Sequence, residues 1–276
     1  MTGLAVTAAA GLALYTRVVE PRRLVVRQRD LCLPRWPTEL SGLKVALLGD
    51  LHVGSPGVDL VKVRRIVAVV RQMAPDLVLL VGDLVADVRG GRRIDPIDVA
   101  QHLAALQEIA PTWTVLGNHD WYAGGNRVLA AMSAVGLPVL EEAATPVDLP
   151  AGTVWLAGVG DLWERDPSPA RALAEVPDEA PCILLTHNPD VVLDVPDRVS
   201  LTVAGHTHSG QVAPFGKPPY HVSPFTGNRF LRGHYDVDGR PLYVTSGIGT
   251  SLVAWRLGVV PEVVGLRLLA LSGGEC

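Results

Sequence analysis

Five short apolar runs, each ending abruptly in aspartate, asparagine or histidine, constrain this chain more than any other feature. They are KVALLGD, PDLVLLVGD, TWTVLGNHD, CILLTH and SLTVAGHTH. Apolar runs of this length bounded by turn signals read as buried strands. Between the first two lies VDLVKVRRIVAVVRQM, whose apolar spacing suits a helix, and a second helix is expected around Pro96 to Ala110. Strand alternating with helix predicts an α/β fold with polar loops gathered at strand ends. Further strands are expected in TVWLAGV, PLYVTS and the VVGLRLLA region, giving two central β-sheets flanked by helices. The stretch from Pro214 to Phe230 is rich in proline and glycine and is expected to form a shaped loop that frames a site.

No linker divides the polar clusters, so the 276 residues are expected to form one main domain. A hydrophobic content of 48% against 19% charged excludes wholesale disorder. The formal charge of -4 gives no global electrostatic case for nucleic-acid binding, and no recognition module for it is present. A Walker A sequence, a complete G-x-G-x-x-G and a G-x-S-x-G elbow are also lacking. Cys32, Cys182 and Cys276 are widely spaced, and their odd number cannot form a fully paired intramolecular disulfide framework. The opening GLAVTAAAGLALYT is apolar but shorter than the roughly 20 residues of a comfortable spanning helix. Its nearest charges, Arg17, Arg22 and Arg23, follow it, unlike those of a secretory signal. Residues 1–20 are expected to be a membrane-associating or targeting segment, with an ordinary packed helix as the other reading.

Carboxylates and imidazoles together hold divalent cations. The candidates stand just past the apolar runs: Asp50 and His52, Asp83, Asn118, His187, and His206 with His208. In an extended D-x-H or H-x-H segment, side chains two apart share a face and approach one centre. Asp83 offers two carboxylate oxygens to bridge a pair of cations, and Asn118 offers an amide oxygen without charge. Any one of these residues alone reads as a helix cap, a turn residue or a surface histidine. With His119 beside Asn118, five of the eight histidines fall in the clusters, however, whereas His102, His221 and His234 lack comparable spacing.

In their order, GDLH, GDLVAD, GNHD, TH and GHTH resemble the calcineurin-like metallophosphoesterase superfamily. The resemblance runs from about Lys44 to His208 and continues through GIGTS and the terminal strands. The leading apolar segment, YTRVVEP and GHTHSGQ are similar to its bacterial membrane-associated YkuE/YaeI-like branch. Membership implies a layered domain over residues 43–270 and two divalent or mixed-valence metal ions, manganese, iron or zinc. Asp50, His52, Asp83 and His208 would hold one ion, and Asp83, Asn118, His187 and His206 the other. His119 would contact the scissile phosphate and protonate the leaving oxygen, Asp120 would orient it, and water activated between the cations would attack. One departure is visible. Many relatives carry an acidic residue three positions after the match to Asp83, where this chain has Ala86 and then Asp87. The ligand set is intact, but an orienting role for Asp87 is in doubt.

The resemblance implies hydrolysis of a phosphodiester or pyrophosphate bond, with UDP-2,3-diacylglucosamine or another lipid-linked phosphate as candidate substrate. A soluble nucleotide or phosphomonoester hydrolase is the alternative, and a metal-stabilised membrane interaction module is the alternative of another class. The expected partners are a phosphate-containing small molecule or lipid and a membrane surface, with no specific nucleic-acid or protein partner. The expected location is cytoplasmic and membrane-associated, with a cytoplasmic or an exported, membrane-facing location as alternatives. Arg89, Arg92 and Arg93 are candidates for phosphate recognition, Trp121 and Tyr122 for packing on substrate, and Phe215, Lys217, Tyr220 and Arg229 for a late rim. Each has an ordinary surface reading as well.

Overall fold

Alternation along the buried strands sorts their side chains into two apolar layers. In strand β2 (Leu43–Leu48), Val45 and Leu47 face one way and Ala46 and Leu48 the other; in β3 (Leu77–Val81), Leu77, Leu79 and Val81 oppose Val78 and Leu80. One layer packs between two sheets, and the other packs under helices, which is why these runs are apolar throughout. The computed structural model describes residues 2–86 and 90–271, with side chains from residue 7.

The first sheet has the order β1-β11-β2-β3-β4, adding β1 (Val25–Leu33), β11 (Glu262–Ala270) and β4 (Thr112–Val115). Strands β2, β3 and β4 run parallel. The second sheet has the order β5-β6-β7-β8-β10-β9, built from β5 (Ala143–Leu149), β6 (Gly152–Gly158), β7 (Cys182–Leu185), β8 (Leu201–Ala204), β9 (Gly233–Val237) and β10 (Arg240–Val244). Its four central strands, β6, β7, β8 and β10, are parallel. Helices α2 (Leu60–Met73), α3 (Pro96–Ala104) and α5 (Gly125–Ala134) cover the outer face of the first sheet through Ile66, Leu103 and Met132. Short helices α4 (Asn118–Tyr122) and α6 (Pro169–Ala172) complete the set. This is the expected α/β arrangement of two central sheets flanked by helices.

Asp59 starts α2 by accepting the Lys62 N–H at 2.8 Å. The expected helix at Pro96 to Ala110 ends early, at Ala104. Turns then lead into Pro111, which disfavours helical backbone at the residue before it. Strands β1, β5 and β9 escape the sequence reading because they contain many exposed residues and read as broken, polar patterns.

The expectation of membrane association needs correction. Helix α1 (Thr2–Leu14) has 13 residues, and among the described residues no helix is long and apolar enough to cross a membrane. Membrane association is therefore not supported, either as a property of the chain or in the cytoplasmic or exported membrane-facing locations expected from it.

Candidate metal centre

The ligand residues converge through left-handed turns rather than extended segments. Asp50, His52, Asp83, His206 and His208 have φ values of 50°, 44°, 53°, 68° and 46°. Aspartate and histidine enter this region more readily than most residues, though at a cost of about 1 kcal/mol each. The D-x-H and H-x-H pairs thus meet because the chain turns at each ligand. Inter-loop bonds hold the turns: Asp50 N–H donates to Gly82 O at 3.0 Å and His52 N–H to Asp83 O at 2.8 Å. Gly82 has φ 84°, and a Cβ there would stand 2.5 Å from Gly117 N. Only glycine lets these two loops approach so closely.

Asp50, His52, Asp83 and His208 form a fully buried cluster whose ligand atoms lie within 4.8 Å of one another. His52 Nε2 is 3.0 Å from His208 Nε2 and 3.3 Å from Asp83 Oδ2, while His208 Nε2 is 3.4 Å from Asp50 Oδ1. Asp50 Oδ2 is buried without a hydrogen-bond partner. Facing imidazole nitrogens and an orphaned carboxylate oxygen are reconciled by a cation, which accepts all of these lone pairs at once. The residues therefore fit a divalent ion. On the other side of Asp83, His187 Nε2 is also 3.3 Å from Oδ2. His206 Nδ1 lies 3.1 Å from Asn118 Oδ1 and 3.2 Å from His187 Nε2. His187 Nδ1–H donates to Val81 O at 2.7 Å, which leaves Nε2 as the free lone pair.

Burial and crowding set the charges. Burial raises Asp50 to about 7 and lowers both His52 and His206 to about 3. Burial also works to raise Asp83, but the charges of His187 and His52 outweigh it and hold the carboxyl well below 3.8. His187 is driven the opposite way: burial works to lower it, and Asp83 and Asp50 raise it to about 10. An ionised Asp83 beside the neutral imidazoles of His52 and His206 offers lone pairs to a cation, which would displace the proton that Asp83 and Asp50 hold on His187.

His119 stands beside this cluster, its ring edge-on to His52 at 4.9 Å between centroids. Its backbone N–H donates to Asp83 Oδ1 at 2.9 Å, and its Nε2 is 3.0 Å from Ser251 Oγ. The Asp120 carboxylate accepts the N–H groups of Leu84, Val85 and Gly117 at 2.9, 3.0 and 3.0 Å, tying the Asp83 loop to the Asn118 loop. Asp87 and Arg89 lie outside the described residues.

A cavity of about 160 Å³ opens on Asp83, Asn118, His119, His206 and His208. Its wall includes Trp163, Tyr220, Val222, Leu252 and Val253. Of the expected rim, only Tyr220 lines it; Phe215 is fully exposed, and Arg92 and Arg93 line a separate cleft of about 890 Å³ that includes none of the ligands. Trp163, Gln211 and Ser251 were not singled out from sequence. Trp163 packs edge-on against His206 at 4.6 Å, placed there by Asp161, which accepts the Trp163 N–H at 2.9 Å. Gln211 and Ser251 do stand inside GHTHSGQ and GIGTS, the one signal that pointed toward them.

The calcineurin-like phosphoesterase family signature matches residues 43–210. The chain belongs to that family. A transmembrane protein with a metallophosphoesterase domain from Danio rerio is 30% identical over 283 residues, covering 97% of this chain and 62% of its own length. The metallophosphoesterase YkuE of Bacillus subtilis is 28% identical, covering 94% of this chain and 90% of its own length. The phosphodiesterase YaeI of Escherichia coli is 34% identical, covering 82% of each. The chain thus spans about three fifths of the zebrafish relative and most of the two bacterial ones. The calcineurin-like fold and the buried aspartate–histidine cluster are those of a metal-dependent phosphoester hydrolase.

Proposed function

We propose that this calcineurin-like chain is a two-metal hydrolase of phosphodiester or pyrophosphate bonds. The observation that carries the reading is the position of Asp83 Oδ2, 3.3 Å from both His52 Nε2 and His187 Nε2, so that one carboxylate serves two neighbouring ligand sets. Asp50, His52, Asp83 and His208 would hold one cation, and Asp83, Asn118, His187 and His206 would hold the other. Manganese, iron or zinc suits these mixed oxygen and nitrogen donors. When bound, two such ions would supply Lewis-acid polarisation and a lowered pKa for nearby water.

The chain's own residues supply the rest. His119 presents Nε2 to the cavity and gives its proton to the departing oxygen. Asp120 acts through the backbone, holding the loops of Asp83 and Asn118 at fixed separation. Trp163, Tyr220, Leu252 and Val253 offer an apolar wall to the group beyond the phosphate. That wall supports an apolar or acylated leaving part, with UDP-2,3-diacylglucosamine as the specific candidate. The name of the Escherichia coli relative, a phosphodiesterase, supports a diester over a monoester.

Product-resolved hydrolysis by manganese-loaded protein tests the reading, comparing UDP-2,3-diacylglucosamine, bis(p-nitrophenyl) phosphate, a soluble nucleotide and p-nitrophenyl phosphate. Diester or pyrophosphate cleavage well above monoester cleavage is expected. A preference for the monoester would overturn the bond assignment, and indifference to the acylated substrate would overturn the lipid-linked one.

A further inference from the structure

The imidazole of His119 has few polar neighbours to fix it. Its Nδ1 is buried without a partner, so Nε2 is the nitrogen that turns to the cavity. Among the described residues, no carboxylate hydrogen-bonds the ring: Asp120 is committed to three backbone N–H groups, and Asp83 binds the backbone of His119. Contacts with His52 at 4.9 Å and Tyr122 at 5.4 Å confine the ring plane but direct no proton. The Ser251 hydroxyl, 3.0 Å from Nε2, is the hydrogen-bonding group on the ring.

Ser251 is itself clamped. Gln211 Oε1 accepts the Ser251 N–H at 2.7 Å, and Gln211 Nε2–H donates to Ser251 O at 2.9 Å and Val253 O at 2.8 Å. One buried amide thus uses both its donor and its acceptor ends on the loop that carries Ser251. Gln211 follows His208 by three residues and sits at φ 53°, ψ -47°, a backbone conformation that costs free energy in a non-glycine residue. Its cost is offset by these side-chain bonds and by the Leu257 N–H donating to Gln211 O at 3.0 Å.

We propose that Ser251, held by Gln211, is the positioning residue that aims His119 at the leaving oxygen. The inference rests on the reading of His119 as proton donor. A hydroxyl is suited to this place because it both accepts and donates. It accepts Nε2–H while the ring is protonated. As the P–O bond breaks with its electron pair on the leaving oxygen, the Nε2 proton passes to that oxygen. The ring left behind is neutral with its hydrogen on Nδ1, and the Ser251 hydroxyl turns to donate to Nε2. Ser251 keeps its own proton throughout.

Metal-loaded wild type, residues 1–276, is compared with Ser251→Ala, Ser251→Thr, His119→Ala and the Ser251→Ala/His119→Ala double variant, on bis(p-nitrophenyl) phosphate and on diphenyl phosphate. Phenolate is the poorer leaving group and needs the proton more. Ser251→Ala is expected to lower kcat for diphenyl phosphate about 10-fold with KM within about twofold, to affect the nitrophenyl diester little, and to add nothing to His119→Ala. Ser251→Thr, which keeps the hydroxyl, is expected to restore most of the loss. A Ser251→Ala loss equal for both diesters, or one that multiplies the His119→Ala loss, overturns the positioning role while leaving the His119 reading standing. Absence of any leaving-group dependence in His119→Ala overturns both. A second readout is independent of turnover. In zinc-loaded protein the His119 Nε2 resonance, recognised by its absence from His119→Ala, is expected to move in Ser251→Ala and return in Ser251→Thr. A resonance unmoved in Ser251→Ala overturns the proposal.

Discussion

Asp83 concentrates the proposed chemistry in one carboxylate, because the same oxygen stands 3.3 Å from His52 Nε2 and from His187 Nε2. Asp83→Asn keeps the size and removes the charge that opposes four buried imidazoles. It is expected to reduce bound metal at both positions and to lower turnover by at least about 100-fold, as measured by metal analysis of the purified protein alongside diester hydrolysis. Lys62 illustrates burial acting on a charge outside the site. Burial pushes its ammonium from 10.5 down to about 7, and its hydrogen-bond partner is Pro21 O at 2.8 Å. A folded pKa below the unfolded one leaves stability intact above the unfolded value and erodes it as pH falls toward the folded value. Wild type should therefore gain stability on going from about pH 7 to about pH 9.5, by at most about 1.4 kcal/mol per unit, and Lys62→Met should flatten that slope. Urea unfolding at the two pH values measures it, and equal slopes would refute the assignment. Aspartate and histidine at strand ends could be recognised from sequence because their chemistry belongs to the residue. Ser251 could not, because a serine acquires meaning only from its neighbour, and His119 lies 132 positions away.

At the scale of elements, the site is a row of loops leaving the carboxyl ends of parallel strands β2, β3 and β4 in one sheet and β7 and β8 in the other. The close approach of the loops depends on Gly82. Gly82→Ala would place a Cβ 2.5 Å from Gly117 N and 2.8 Å from His187 Nδ1 at a φ of 84°. It is expected to cost several kcal/mol, at least about 2 beyond the backbone penalty alone, and to lower metal occupancy. Gly136→Ala is the control, since it has φ 70° but nothing within 4 Å of the added Cβ. Its cost is expected to stay near about 1 kcal/mol. Thermal unfolding of the pair separates crowding from backbone strain, and similar losses would remove crowding as the cause. Central strands such as LKVALL and LVLLV were legible because both of their faces are buried, which writes an unbroken apolar run into the sequence. Edge strand β1, VVRQRDLCL, was not. Its exposed charged residues break that pattern, and its nine-residue parallel register with β11 is a property of the partner as much as of the strand.

For the whole molecule, the packing of two sheets gathers charged ligands that the fold without a cation tolerates poorly. Burial lifts Asp50 to about 7 in the absence of bound metal. A raised folded pKa gives a contribution to stability that is complete below 3.8 and is lost as pH rises through about 7. A bound cation removes the cost of ionising this carboxyl, so the difference in melting temperature between metal-loaded and chelator-treated protein is expected to widen from about pH 5 to about pH 8. Binding at a free metal concentration 100 times Kd is worth about 2.7 kcal/mol. Calorimetry of both forms across that range checks the sign, and a narrowing difference would contradict it. Which central segments are buried strands and which residue types end them can be read along the chain, because apolar content and ligand chemistry are carried within a few consecutive residues. Folding alone sets the left-handed turns at Asp50, His52, Asp83, His206 and His208, the facing of Asp83 toward two histidines, and the placing of Ser251 beside His119 by Gln211. Those relations join residues far apart in the chain, and their distances are fixed by how the two sheets and their loops pack.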